Sequence, residues 1–369
     1  MWDLSIDYLN DFRDPAVIAA LQAQIKKKAT RPINIMEICG GHTHTIMKYG
    51  LPQLLPPQIN FVHGPGCPVC VMPKERIDHA ITIANMKDTI LTTLGDMIRV
   101  PGSLGSLQTA RAKGADVRAL YSPLEALSIA ADNPRKTVVF FAIGFETTTP
   151  MTAALIDRVV SSEVKNLLFH VNHILVPPPV CAIMDGGGAI DAFLGPSHVS
   201  VITGSDIFLP IAERYKTPIV ISGFEPIDVL ESVLKIVRQF NDGRREVENE
   251  YSRAVTPSGS QKAKKLIERY FAPRETFRWR GLGDIPQSAL KLREAFSFLD
   301  AEKAYEGLLP NDPIDDHKLC MCAEILKGRA KPVDCKAFGK ACVPASPLGS
   351  CMVSSEGACA AYYRYAKSF

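Results

Sequence analysis

Apolar positions along the chain fall into two alternating rhythms. Over residues 14–28 they recur as Val17, Ile18, Leu21 and Ile25 behind the start signal Asp14-Pro15, the spacing of one helix face. Short unbroken apolar runs follow at 33–38 (INIMEI), 59–64 (INFVHG), 89–95 (TILTTLG) and 117–122 (VRALYS), with helical patterns between them, as at 75–86 and 124–131. The rhythm restarts at Lys136, with strand patterns at 137–144, 166–172, 198–204 and 218–223 and helical ones at 149–160 and 226–240. Strands alternating with helices predict parallel sheets flanked by helices. Residues 241–262 read as a polar linker, 262–271 as a helix, and the rest as a tail punctuated by Pro and Gly.

These shifts divide the chain into three units. The expected fold is α/β: two parallel-sheet α/β domains, over 1–135 and 136–240, with a central cleft, plus a helical and loop-rich cysteine-rich unit over 241–369. A length of 369 residues suits two or three domains. The net charge of +3 points to neither nucleic acid nor membrane as a partner. The acidic start MWDLSIDYLNDFRDP is no secretory signal, and the longest apolar run, near 137–145, is too short to span a bilayer. A cytoplasmic location is expected.

Ten cysteines then need a chemistry. A reducing compartment disfavours structural disulfides, so their spacing reads first as metal binding or redox chemistry. Six lie between residues 320 and 359. Cys320, Cys335, Cys342 and Cys359 are separated by 14, 6 and 16 residues, with Cys322 and Cys351 as extras. Zinc sites show tighter pairs; loose spacing among Gly and Pro suits an iron–sulfur cluster wrapped by loops. Inert packing, the ordinary fate of a free cysteine, fits Cys181 in VPPPVCAIM better than six thiols in forty residues. In GPGCPVC (64–70), Cys67 and Cys70 form a C-x-x-C that serves either metal ligation or a dithiol/disulfide pair. In CGGHTH (39–44), Cys39 ends a strand and precedes a helix start, where backbone N–H groups favour a thiolate. Gly40 and Gly41 would let a ligand approach the backbone. With His42, Cys39 makes either a soft-metal ligand pair or a Cys/His nucleophile; His44 takes a structural role. Gly144, Glu146, Thr147, Thr148 and Glu225 belong at strand ends, where α/β sheets bind ligands, although the threonines could merely cap the next helix.

CGGHTH, GPGCPVC, GFETT at 144–148 and the ending CMVSSEGACAAYY together resemble the HypD family of [NiFe] hydrogenase maturation proteins, over the whole chain. The resemblance implies an assembly scaffold with redox activity rather than a conventional turnover enzyme. It implies a [4Fe–4S] cluster on Cys320, Cys335, Cys342 and Cys359. With the partner HypC the scaffold would carry iron as an Fe(CN)2CO intermediate, with cyanide donated by HypE, in a transient hydrogenase maturation complex. Cys39 would hold that iron with His42 in support, and Cys67 and Cys70 would be the redox-active thiols. The rival expectation is a transferase using Cys39 and His42, with a structural zinc in the tail.

Overall fold

The computed structural model describes residue 7 and residues 10–366. The first helix runs Pro15–Lys28, with the Asp14 carboxylate accepting from the backbone N–H groups of Ala16 and Val17. This satisfies donors that a helix start leaves unpaired.

The strands build two parallel sheets. The first orders β2 (Ile59–His63), β1 (Ile33–Glu37), β7 (Ala192–Pro196), β8 (Ile219–Ser222) and β9 (Val247–Asn249). The second orders β4 (Asp116–Leu120), β3 (Thr89–Leu94), β5 (Thr137–Gly144) and β6 (Leu167–His173). Every pairing within the two sheets is parallel. Helices cover both faces, which is why β5 reads as an uninterrupted apolar run and is buried almost throughout. The strands do not sort into sheets in chain order. β1 and β2 pair with β7 and β8, while β3 to β6 form the other sheet between them. Strand pairing therefore crosses residue 135, where the periodicity places a boundary.

Two local expectations are corrected. The stretch 198–204 is not a strand: Ser197–Thr203 is a helix, and the strand is AFLGP just before it. A strand would put Val199 and Val201 on one face, yet Val199 is buried and Val201 exposed. β-branched residues here suit a helix because burial recurs at Ser197 and Ser200, one turn apart. Within the supposed linker, β9 adds an edge strand, with Val247 opposite Ile219.

The C-terminal part packs against the sheets. Its hairpin strands Thr276–Trp279 and Gly283–Pro286 bring buried Trp279 against Phe145, beyond the end of β5. Arg280 N donates to Val71 O, tying the hairpin to the C-x-x-C helix. Tail residues Cys322, Ile325, Cys342, Cys351, Met352 and Cys359 sit in the same core as β5 and the C-x-x-C segment. A buried ion cluster helps hold this unit on. Arg76 pairs in two places with Glu302, at 2.6 and 2.7 Å, and Arg274 also binds that carboxylate. Burial alone would raise Glu302, but the Arg76 guanidinium, with Arg274, holds its carboxyl well below the usual range.

Candidate functional site

Parallel pairing of β1 with β2 places the ends of both strands side by side, Glu37 opposite His63. CGGHTH leaves the end of β1 and GPGCPVC the end of β2, so sheet order alone makes the two motifs neighbours. Gly40 N donates to Gly66 O at 3.1 Å, and a Cβ on Gly66 would lie 2.2 Å from Cys39 N. β7, on the other side of β1, ends just before His198. β8 ends before Gly223 and Phe224. The site therefore lies at the carboxyl edge of the first sheet, the usual ligand crevice of such folds.

The histidine facing Cys39 is His198, with Nδ1 3.7 Å from Sγ. Nothing in the sequence reading pointed to it. His42 is fully buried, and its Nε2 lies 3.1 Å from Ser222 O and 3.0 Å from Gly223 O. Two carbonyl acceptors assign the proton to Nε2, which leaves Nδ1 unprotonated; that atom is buried without a partner. Phe224 holds both imidazoles, its ring centroid 4.8 Å from that of His42 and 5.2 Å from that of His198. His44 is structural as expected, reaching Ser355 O and Tyr365 OH.

The helix-start effect on Cys39 is present but outweighed. Burial pushes the thiol well above its usual range, the Glu356 charge adds to this, and the N–H groups of Gly41 and His42 pull only partly back. Burial likewise lowers His198 to about 4. A neutral thiol beside a neutral imidazole is the reverse of the thiolate–imidazolium pair that a cysteine nucleophile uses. The glycines are also corrected. A Cβ on Gly40 would lie 2.5 Å from Glu356 Cβ and 2.6 Å from its carbonyl oxygen, and one on Gly41 would lie 2.8 Å from the Phe224 ring. They admit the chain's own tail and an aromatic wall. Gly40→Val is expected to unseat the tail, seen as rapid protease cleavage ahead of the helix Ala358–Tyr365. Wild-type resistance in that variant would contradict this packing.

Cys67 caps the short helix Pro68–Val71, and Cys70 lies one turn on; both are buried. Burial raises the Cys70 thiol, and the neighbouring Cys351 and Cys67 add to this; its Sγ lies 3.9 Å from Ser350 O. The neighbouring Cys322 and Cys70 draw Cys351 down in spite of its burial. Cys322 in turn neighbours Cys320 and Cys359 and raises both. A continuous line of thiols thus runs from Cys67 through Cys70, Cys351 and Cys322 to the tail. It ends in an apolar pocket lined by Cys320, Cys322, Cys335, Cys342 and Cys359 with Ile325 and Phe338. Gly349 forms part of the wall, and a Cβ there would lie 2.4 Å from Cys320 Sγ. Leu348 N donates to Cys342 Sγ at 3.3 Å. All four cysteines assigned by resemblance meet here. The pocket adds a fifth thiol, Cys322, and backs onto Cys351; neither had an assigned role.

Beneath Cys39, Glu37 accepts from Thr43 Oγ1 at 2.6 Å and pairs with His63 Nδ1, whose ring meets Tyr362 edge-on. This cluster ties β1, β2 and the tail helix together. At the end of β5, Thr148 donates to main-chain carbonyls, and Glu225 joins the capping box of the helix Pro226–Asn241. Glu146 differs: one oxygen accepts from Val176 N, the other is buried without a partner, and burial raises the carboxyl to about 7. Thr147 Oγ1 is also buried and unpartnered.

Burial lowers His42, His173 and His198 to about 4 from a model-peptide value of 6.5. Between those values the unfolded chain binds more protons than the folded one, so stability falls as the pH drops through that window. Each histidine costs about 2 kcal/mol between pH 7 and 5. The urea midpoint should therefore fall over that range, and less steeply in His198→Gln. A midpoint independent of pH would contradict neutral burial.

Among the described residues, no helix is long and apolar enough to cross a membrane. The family described as HypD, "Hydrogenase formation hypA family", matches residues 16–366. The chain is 52% identical over 369 residues to the hydrogenase maturation factor HypD of Azotobacter vinelandii, covering 98% of this chain and 97% of that protein. The same identity and coverage relate it to the hydrogenase expression/formation protein HupD of Azotobacter chroococcum mcd 1. Identity to the hydrogenase maturation factor HypD of Escherichia coli K12 is 42% over 366 residues, covering 97% of this chain and 98% of that one. The chain therefore belongs to the HypD family of hydrogenase maturation factors.

Proposed function

We propose that this maturation factor, together with HypC, is the scaffold on which iron receives its cyanide and carbonyl ligands, with HypE delivering cyanide as a thiocyanate. The observation that carries this reading is the convergence of Cys39, the Cys67/Cys70 pair and a pocket of five cysteines along one connected path. The iron is cargo. Cys39 would give it a thiolate, because a bound cation reverses the burial penalty on the thiol. His42 has an unprotonated Nδ1 free for the same centre or its ligands. His198 lies in position to take the proton that Cys39 gives up.

Freeing cyanide from a thiocyanate needs two electrons. A thiocyanate R–S–CN and the two thiols of Cys67 and Cys70 become R–SH, HCN and a Cys67–Cys70 disulfide. The S–CN bond breaks, an S–S bond forms, and both thiol protons are accounted for. The disulfide must then be reduced, and Cys351 and Cys322 give electrons a route back. The five-thiol apolar pocket supports a [4Fe–4S] group held by Cys320, Cys335, Cys342 and Cys359, since four thiolates are the ligand set such a group needs. Such a group supplies electrons one at a time. The test is infrared spectroscopy of the protein isolated anaerobically with HypC. Metal-bound cyanide and carbonyl bands are expected; a complex rich in iron but lacking both would overturn the reading.

A further inference from the structure

Three lysines stand beside the cysteines of the pocket. Lys318 lies two residues before Cys320, Lys336 directly follows Cys335, and Lys340 lies two before Cys342. All three are exposed, and none takes part in an ion pair among the described residues. Their segments are held together. Cys335 Sγ lies 3.4 Å from Leu319 O, while Phe338 N donates to Cys335 O and Cys342 N to Ala337 O. Cys320 and Cys335 are also the least buried thiols of the pocket, being half-buried where Cys322, Cys342 and Cys359 are buried. Leu319, next to Lys318, and Val333, two residues before Cys335, are exposed at 51% and 59%. No acidic residue occurs between 335 and 355, and Asp334 turns back to accept from Lys331 N at 2.7 Å. The Asp316 carboxylate is engaged elsewhere, by Lys74 and Arg280, and Asp315, whose main-chain oxygen accepts from Lys74, lines the same cleft.

We infer that this basic rim, with its small apolar centre, is the docking surface for a small acidic one-electron carrier protein of the iron–sulfur or flavin class. The inference rests on the function proposed above. Unpaired lysines around an apolar patch are what a brief, electrostatically steered encounter needs, since such contacts are small and gain rate from charge rather than area. The reduced carrier loses one electron to the group those cysteines hold; no bond or proton moves.

The test measures binding of an acidic plant-type ferredoxin to the full-length protein, isolated anaerobically, at rising ionic strength. Basic cytochrome c is the control. Binding should weaken steeply with salt, be absent for cytochrome c, and fall about tenfold or more in a Lys318→Glu, Lys336→Glu, Lys340→Glu variant. The rate of electron transfer from reduced ferredoxin should fall alongside, while reduction by dithionite stays unchanged. Binding that ignores salt or the three substitutions, or is equalled by cytochrome c, overturns the surface. Protein that proves colourless and free of iron–sulfur signals instead overturns the cluster reading, and the binding arm still decides the surface.

Discussion

Cys39→Ala should leave the protein folded and empty of the iron–cyanide–carbonyl group. The thiol is buried beside His198, but it closes no hydrogen-bond network that the fold depends on. Removing one buried sulfur costs about 1 kcal/mol of packing, a small part of the stability of a domain. The loss to the cargo is of another order. Iron carrying cyanide and carbonyl needs a soft anionic ligand, and Cys39 is the thiol that faces His198. Infrared bands of bound cyanide and carbonyl should vanish from the complex with HypC, while the circular dichroism spectrum and urea midpoint stay near those of the wild type. Retained bands would remove Cys39 from the iron. His198→Gln separates roles: if this imidazole only takes the proton, bands persist but loading shifts to higher pH.

The second large effect lies in the tail. Cys335→Ala and Cys342→Ala should each abolish the brown colour of anaerobic protein and release its iron, since a cubane lacking one thiolate of four is exposed to solvent and hydrolysis. Both should also loosen the C-terminal part, because a metal group held there would contribute to folding. Cys351→Ala should keep the colour and instead slow reduction of the Cys67–Cys70 disulfide, as it stands between Cys70 and Cys322. Thiol trapping with a mass tag after pulsed reduction reads that rate. The fifth thiol makes a further distinction. Cys322→Ala should resemble Cys351→Ala; bleaching by that substitution, with colour retained in Cys320→Ala, would exchange the two in the ligand set.

Much of the chemistry was legible along the chain. The thiol of CGGHTH, the C-x-x-C and the four spaced tail cysteines are local statements about residue type, and each appears in the site. Element types were equally local, because periodicity reports which face is buried. One exception, 198–204, fails for a physical reason: a short run of β-branched residues fits a strand as well as a buried helix, and only the neighbouring AFLGP, with Gly195 packed against Ile221, settles which one enters the sheet. The partners of each motif were not local. His198 reaches Cys39 because β7 was chosen as the second neighbour of β1, across a whole intervening sheet. The fill of Gly40 by Glu356, and the place of Cys351 between two thiols, depend on how the tail folds back.

By itself, then, the sequence determined the kinds of elements and the chemical groups at their ends, since both follow from spacing within a few residues. Only the tertiary structure decided which ends meet, that His198 and not His42 faces the thiol, and that six tail cysteines form a pocket and a path. Parallel pairing and long-range packing join segments separated by as many as 321 positions, and no local pattern carries that choice.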